Sequence, residues 1–457
     1  MPAIPSLRAG LSVAFVASLL AGCGALTENP AMGGLAAPDA YMSDRELPLR
    51  PEVPPELPVP GAPGRPGYAE SLTLRSAIGR AIAFSPAVKA AFIEIDARRG
   101  EEVQSAVKPN PQLLLEVENF GANDKETATE ETLSFGQTVE LGDKRLKRLQ
   151  AAHLDTSLAG WDHETVRVKV ATDAARAFVD VLIVQERIKV LGEFVSLAQK
   201  TRASVDARVK GGKASPIELD RAAVALARAE VLQKGERVRL DAAKRKLSTI
   251  WGAPDIDFGH AHGRLGNSTT VPGAQSLLAF LENNPTLARW GDEINRRVAQ
   301  LDLEHAKAIP DVTLAAGVRR FEDNDSTAMV ASLSVPLPIF DRNQGNIAAA
   351  ERRIAKAENE HKATRNELYG TLVEALGELD VAATQLTALE RDVLPGAQRA
   401  YDKTKIGFDE GKFDILNVLD VQRTVFESRL EVLTARADYE KARVRVEALI
   451  GRDLNGM

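Results

Sequence analysis

The side chains able to do chemistry in this chain are few and scattered. Of the 6 histidines, only His260 and His262 lie close together. Two imidazoles two positions apart can touch one metal ion, but a tetrahedral zinc site needs a third protein ligand, and none is evident nearby. They read as surface residues of a linker, so no metal site and no cofactor is assigned. Carboxylates are abundant, 64 Asp and Glu in all, but they fall in helix-period stretches where solvated faces are the ordinary arrangement. No Gly-rich phosphate loop, His-Glu-x-x-His or Gly-x-Ser-x-Gly occurs. No catalytic residue is assigned, and the chain is not expected to be an enzyme. The 58 Lys and Arg give a formal net charge of -6 and a pI near 5.7, which lacks the basic footprint of a nucleic-acid binder.

Cys23 is the only cysteine, which excludes an intrachain disulfide and a Cys-based zinc or iron–sulfur site. Its setting points to another chemistry. Arg8 precedes an apolar run, Leu11 to Ala21, too short to span a bilayer and suited to a signal peptide. The run ends in Leu20-Ala21-Gly22-Cys23, the pattern of a bacterial lipobox, in which the thiol is acylated and becomes the first residue after cleavage. Residues 1–22 are then a lipoprotein signal peptide. Acyl chains contribute about 0.8 kcal/mol per buried CH₂, so several together anchor stably. Gly24 follows, not the Asp that favours inner-membrane retention, so outer-membrane sorting and outer-membrane lipid are expected. No later run of about 18 apolar residues occurs. Such a protein is therefore either tethered in the periplasm or a β-barrel.

These residues must be positioned by a body of unusual proportions. Residues 23–70 carry the anchor and a proline-dense strap, 48–66, that reads as an extended connector. Two related units follow, 71–252 and 275–451, joined by a linker at 253–274 and ending in a tail at 452–457. Pro86 and Lys108 recur as Pro285 and Lys307. Asp143-Lys144-Arg145 recurs as Asp341-Arg342-Asn343, Gly211, Leu219 and Asp220 recur as Gly411, Leu419 and Asp420, and Gly252 recurs as Gly451. The offsets stay between 198 and 200, where chance matches would drift. Each unit reads helix, strand pair, very long helix, turn, long helix. Leu372, Leu379, Leu386 and Val393 recur every seven residues, as do Leu368, Ala375, Ala382 and Leu389. Val418, Val425, Val432, Tyr439 and Val446 do the same with Val421, Ser428, Ala435, Ala442 and Leu449. Sustained heptads predict coiled-coil packing. Leu419, Phe426 and Leu433 widen the stripe, so that this helix can pack against two neighbours. A proline-free helix over about 143–209 would span roughly 100 Å. Its counterpart over about 344–405 meets only Pro395. Rods or tunnels use such lengths, and compact enzymes do not.

Four strands are expected, at about 111–120, 131–141, 311–321 and 327–338. Leu113, Leu115 and Val117, then Leu133, Phe135, Val139 and Leu141, form apolar faces in the first pair. Val312, Leu314, Ala316 and Val318, with Met329, Ala331, Leu333, Val335 and Leu337, do so in the second. The opposite faces are small or polar, with Leu114 the exception. Lengths of nine to eleven residues suit tilted bilayer-spanning strands. Known single-chain barrels begin at about eight strands, so four must be completed by other subunits, two copies giving eight or three giving twelve. The fold class expected is mainly α with a small β part. Two turns, VKGGKASP (209–216) and GFDEGKFDI (407–415), lie at the helix ends farthest from the strands. Lys210, Gly211, Gly212 and Lys213 mark one tip, and Asp409, Glu410, Gly411 and Asp414 the other. They are candidates for partner contact or for an acidic entrance.

These features together resemble the outer membrane efflux (TolC-like) family over residues 70–451. The stretch from Gly411 to Arg423 is similar to that family's motif through Gly411, Leu416, Leu419, Asp420, Gln422 and Arg423. VELGDKR (139–145) and VPLPIFDRNQGNI (335–347) resemble the strand-to-helix junctions of the CzcC-like heavy-metal branch, except that Asp143 stands where that branch usually has a second glycine. The resemblance implies a homotrimer with a twelve-stranded barrel in the outer membrane and an α-helical barrel crossing the periplasm. It also implies a periplasmic adaptor (membrane fusion) protein and an inner-membrane, proton-driven RND pump as partners. The expected cargo is divalent heavy-metal cations. Drugs or other organic molecules are the alternative, as is a lipid-tethered coiled-coil scaffold without a pore.

Overall fold

The computed structural model describes residues 67–120, 129–266 and 271–454. The expectations for the signal peptide, Cys23 and the proline-dense strap lie outside the described residues. So do residues 121–128 of the first hairpin loop, 267–270 of the linker and 455–457 of the tail.

The first half runs β1 (Ala69–Thr73), α1 (Leu74–Phe84), α2 (Pro86–Ser105), β2 (Gln112–Glu118), β3 (Glu130–Val139), α3 (Lys144–Lys210), α4 (Pro216–Ile250) and β4 (Phe258–His262). The second runs α5 (Ala274–Leu281), α6 (Pro285–Ala288), α7 (Trp290–Lys307), β5 (Val312–Phe321), β6 (Ser326–Ser334), α8 (Gln344–Ala388), a π-turn (Leu389–Val393), α9 (Leu394–Asp409) and α10 (Ile415–Ile450).

α3 has 67 residues, and at 1.5 Å per residue it extends roughly 100 Å. Its last turn carries Arg208 and Lys210, cations that favour a helix C-terminus. α4 begins on a capping box, Ser215 with Glu218, and has Pro216 at its first position.

The heptads become a core. Leu372, Ala375, Leu379, Ala382 and Leu386 of α8 pack with Val432, Ala435, Tyr439, Ala442 and Val446 of α10. On its other side α10 meets α3, where Ala437 joins Val179 and Ile183, with Leu433 against them. Thus α10 packs against two neighbours, as its wide stripe requires. A separate core gathers Leu72, Phe178, Leu182, Leu247, Trp251 and Phe258 from β1, α3, α4 and β4.

The linker is more structured than its Gly-, Pro- and Asn-rich sequence suggests. β4 pairs in parallel with β1, from Ala69 with Phe258 to Thr73 with His262. β1 therefore crosses the expected boundary at residue 70, and His260 and His262 are strand residues with exposed side chains, not loop residues. Phe258 and Ala261 face the core instead. Asp257 holds the corner, accepting from Arg80 Nη1 at 3.1 Å, Trp251 Nε1 at 2.9 Å and Ser248 Oγ at 3.2 Å. The expected helix over 344–405 extends to Asp409. Its break near Pro395 is a π-turn in which the Leu394 N–H donates to the Leu389 carbonyl. Pro395 offers no N–H to the turn before it, and a wide turn accommodates that loss.

Candidate functional site

β2, β3, β5 and β6 form one antiparallel sheet in the order β2-β3-β5-β6. The central pairing joins the two halves of the chain, from Val139 with Val312 to Glu130 with Phe321. In this register Leu133 faces Val318 across β3 and β5, and Leu314 faces Leu333 across β5 and β6. One face therefore presents Leu113, Leu115, Leu133, Phe135, Leu314, Val318, Met329 and Leu333, all exposed on the single chain. The other presents Ser134 beside Gly317, Thr138 beside Thr313, and Thr132 beside Arg319. The Thr138 and Thr313 hydroxyls are 3.1 Å apart. Gly317 is required there, because a Cβ would lie 2.2 Å from the Leu133 carbonyl oxygen.

The expected alternation is thus present, but two strands are shorter than expected. β3 ends at Val139, so Leu141 lies beyond the ladder. β6 ends at Ser334, paired with Thr313, and not near 338. Pro336 and Pro338 supply no N–H to a ladder, so Val335 and Leu337 are exposed but unpaired. β2 and β6 are edge strands with no further partner among the described residues. In hydrocarbon each unsatisfied backbone group costs several kcal/mol, so an open sheet of this kind cannot stand alone there. Among the described residues no single helix is long and apolar enough to cross a membrane.

The strand-to-helix junctions explain the departure noted at Asp143. Gly142 and Asp143 both have positive φ, 71° and 56°. Asp tolerates the left-handed region better than most residues, and Gly tolerates it freely. Asn343 begins α8 the same way at φ 60°. The residue that matches Asp143 in geometry is therefore Asn343, two positions beyond the sequence pairing with Asp341. Asp311 ties the junction, accepting from the Leu141 N–H at 3.0 Å and from Lys144 Nζ at 2.7 Å.

The far ends of the long helices meet. Val205 and Ala222 of the first half form a cluster with Phe408, Ile415 and Val418 of the second. The Arg208 guanidinium lies over the Phe408 ring, 4.3 Å from its centroid, and donates to the Phe408 carbonyl at 3.3 Å. The turn glycines differ from the sequence pairing by one position. Gly211 is right-handed at φ -83°, and the left-handed residues are Gly212 at 72° and Gly411 at 75°.

Each tip residue now has a place. Lys210 pairs with Asp206 at 2.7 Å, and Glu410 pairs with Lys412 at 2.6 Å. Asp414 is the N-cap of α10, accepting from the Asn417 N–H at 3.1 Å. Lys213 and Asp409 are exposed. Of the motif residues, Gln422 is buried and donates to Thr201 Oγ1 of α3 at 2.9 Å, locking α10 to α3. Asp420 and Arg423 pair on the surface at 2.9 Å. Leu416 and Leu419 line a groove of about 530 Å³ between α3, α4 and α10.

Sequence reasoning missed the pair that shapes the second tip. Gly407 leaves room for the Phe413 ring, which a Cβ there would meet at 2.3 Å. A glycine inside a helix, six residues before an aromatic, was the only available signal. Among the described residues no group of three or more His, Cys, Asp or Glu is placed to hold a metal ion.

The comparisons with known proteins agree with this geometry. The cobalt-zinc-cadmium resistance protein CzcC of Cupriavidus metallidurans is 34% identical over 384 residues, covering 84% of this chain and 91% of CzcC. The nickel and cobalt resistance protein CnrC of the same organism is 27% identical, over 64% of this chain and 69% of CnrC. A crystal structure of CusC, described in terms of folding and transmembrane channel formation, superposes with a TM-score of 0.68 at 15% identity, covering 84% of this chain and 93% of that one. The family described as outer membrane efflux protein matches residues 77–253 and again 278–452. With both halves matched and CzcC so similar along its length, the chain belongs to the outer membrane efflux protein family, alongside the heavy-metal resistance proteins CzcC and CnrC.

Proposed function

We propose that this protein is the outer-membrane duct of a tripartite, proton-driven RND-type exporter, passing divalent heavy-metal cations passively from periplasm to exterior. The observation that carries the reading is the four-stranded sheet. It has one exposed apolar face, one small and polar face, and an unpaired edge on each side. Three copies closing edge to edge give a barrel of twelve strands with its apolar face in lipid and a polar lumen. The metal cargo is supported by CzcC and CnrC being cobalt-zinc-cadmium and nickel-cobalt resistance proteins. Cys23 supplies a lipid anchor that tethers the chain without forming the pore.

The tip formed by the turns at 209–216 and 407–415 is the periplasmic entrance and the contact for the adaptor. Asp409, exposed, and Glu410, at the surface and paired with Lys412, are the carboxylates placed to act on cations there. Asp414 is engaged as a helix cap, so its replacement by Ala would cost about 1 kcal/mol of helix stability and confuse the reading. Asp409→Asn with Glu410→Gln is the cleaner test of an entrance ring. It should lower cation preference in planar bilayers, most visibly at low salt.

The cargo is tested in cells. Deleting this protein, with pump and adaptor present, should sensitise them to zinc, cobalt and cadmium but not to hydrophobic drugs. Sensitisation to drugs alone would refute the metal assignment. For the anchor, Cys23→Ser should abolish acyl labelling while the protein still assembles. Loss of assembly in that variant would contradict this division of roles.

A further inference from the structure

The loop-proximal end of the sheet holds an ionic cluster built from both halves. On the polar face, Glu118 of β2 stands directly opposite Glu130 of β3. Like charges so placed repel each other. Arg319 of β5 lies against both, with Nη2 3.1 Å from a Glu118 carboxylate oxygen and Nη1 2.6 Å from one of Glu130. Its Nε donates to Thr132 Oγ1 at 2.9 Å. All three charged side chains remain partly exposed, between 24% and 42%, so they front water and not a sealed core. Glu116, opposite Thr132 on the same face and exposed, adds another carboxylate beside this cluster.

Two carboxylates and a hydroxyl converging on one point are hard oxygen donors of the kind that hold divalent cations. Here a guanidinium fixed to the wall occupies that point. The argument rests on the proposed reading of this face as the lumen. On that reading, we propose that Arg319 sets how the exit handles its cargo, filling the oxygen cage that a divalent cation would otherwise occupy. Each cluster then keeps one net negative charge, since two carboxylates face one guanidinium. The exit wall attracts metal cations without capturing them, and release stays fast.

The test uses the full-length protein in planar bilayers, with KCl gradients for selectivity and added Zn²⁺ as the probe. Arg319→Gln should raise the K⁺ over Cl⁻ permeability ratio several-fold and make the current sensitive to Zn²⁺ at concentrations at least about tenfold lower than in the unmodified protein. The triple variant Glu118→Gln/Glu130→Gln/Arg319→Gln should lose the added Zn²⁺ block and show a lower ratio than Arg319→Gln. Should Arg319→Gln fail to assemble, Glu118→Gln/Glu130→Gln decides alone, because an unopposed guanidinium must shift selectivity toward anions. An unchanged reversal potential and unchanged Zn²⁺ block in Arg319→Gln would overturn the proposal, as would block of the triple variant equal to that of Arg319→Gln. An absence of conductance in the unmodified protein would overturn the duct reading itself, and this proposal with it.

Discussion

The two halves of the chain follow one plan and diverge where load and motion would fall. From the left-handed residue that starts the long helix to the left-handed glycine at the tip, the first half runs from Asp143 to Gly212 and the second from Asn343 to Gly411. The first half covers this path with one unbroken α-helix. The second breaks it with the π-turn at Leu389–Val393, followed by Pro395, and braces the turn with Arg436 against Glu390 at 2.6 Å. The tips differ in a reciprocal way. Where the first has Arg208 and Ala214, the second has Gly407 and Phe413, large against small in each case. The carbonyls of Arg208 and Gly407 take equivalent bonds, from the Lys213 N–H at 2.8 Å and the Lys412 N–H at 2.7 Å. The shared plan fixes the backbone, while a few exchanged volumes and one missing N–H should make the second half the more compliant.

The sheet is where the halves should behave alike, and there the largest effects are expected. Leu133→Arg in the first half and Leu314→Arg in the second each place a charge on the apolar face, at roughly 2–4 kcal/mol per chain near the bilayer midplane. Both should block assembly in the outer membrane, read by heat-modifiable migration and membrane fractionation. Thr313→Arg and Ser332→Arg, on the polar face, should assemble. If only one hairpin is sensitive, the two do not share a membrane.

The tips are where the halves should differ. Gly407→Ala drives a Cβ into the Phe413 ring and should cost about 1–3 kcal/mol by thermal or denaturant melting. Adding Phe413→Ala, which copies Ala214 of the first tip, should recover much of that loss. Failure of the double variant to recover would mean that the exchanged volumes are not coupled.

The long helices should differ more gently. Amide exchange at residues 389–393 should be faster than at 189–193 of α3, on the order of tenfold, because a wide turn next to a proline opens more easily. Equal protection would remove the claim of compliance.

The smallest effect concerns Glu447, which lies 199 positions after Ser248. Ser248 is buried and donates to Asp257. Burial pushes the Glu447 carboxyl above its ordinary range, with Asp453 adding to the shift and Arg443 opposing it. A carboxyl raised on folding holds its proton more tightly in the folded state. Stability therefore falls as pH rises from the unfolded value through the folded one. Glu447→Gln should flatten that pH dependence, read as the melting temperature followed from about pH 5 to about pH 8.

Much of this was legible in the sequence, for identifiable reasons. The heptads of α8 and α10 are long and periodic, and most of their members lie in the core, but the series fails at the π-turn, where Val393 is exposed. The strand faces follow from alternation, since a one-residue slip would move Leu133, Leu314 or Leu333 to the opposite face. The β1–β4 pair was not legible. Each strand has five residues, the pairing is parallel, and the partners are 189 positions apart, as Ala69 and Phe258 show. Pro395 was visible as an interruption, but a π-turn and a kink look the same in a sequence. At the tip, the glycines announced a turn. Which of them takes positive φ, and that Asp414 caps a helix, depended on where α9 ends. The contacts that Arg208, Gln422 and Arg319 make between the two halves join residues far apart in sequence, and no local pattern signals them.

The central claim is a pore through the outer membrane completed by three copies of an open sheet. It is tested most directly by single-channel recording of the purified full-length protein in planar bilayers, with the mass of the inserted species measured in parallel. The account predicts stepwise, ohmic conductance from a species of three chains, absent in Leu314→Arg. Three-chain species that bind the membrane without conducting would contradict it and leave a tethered helical scaffold in its place.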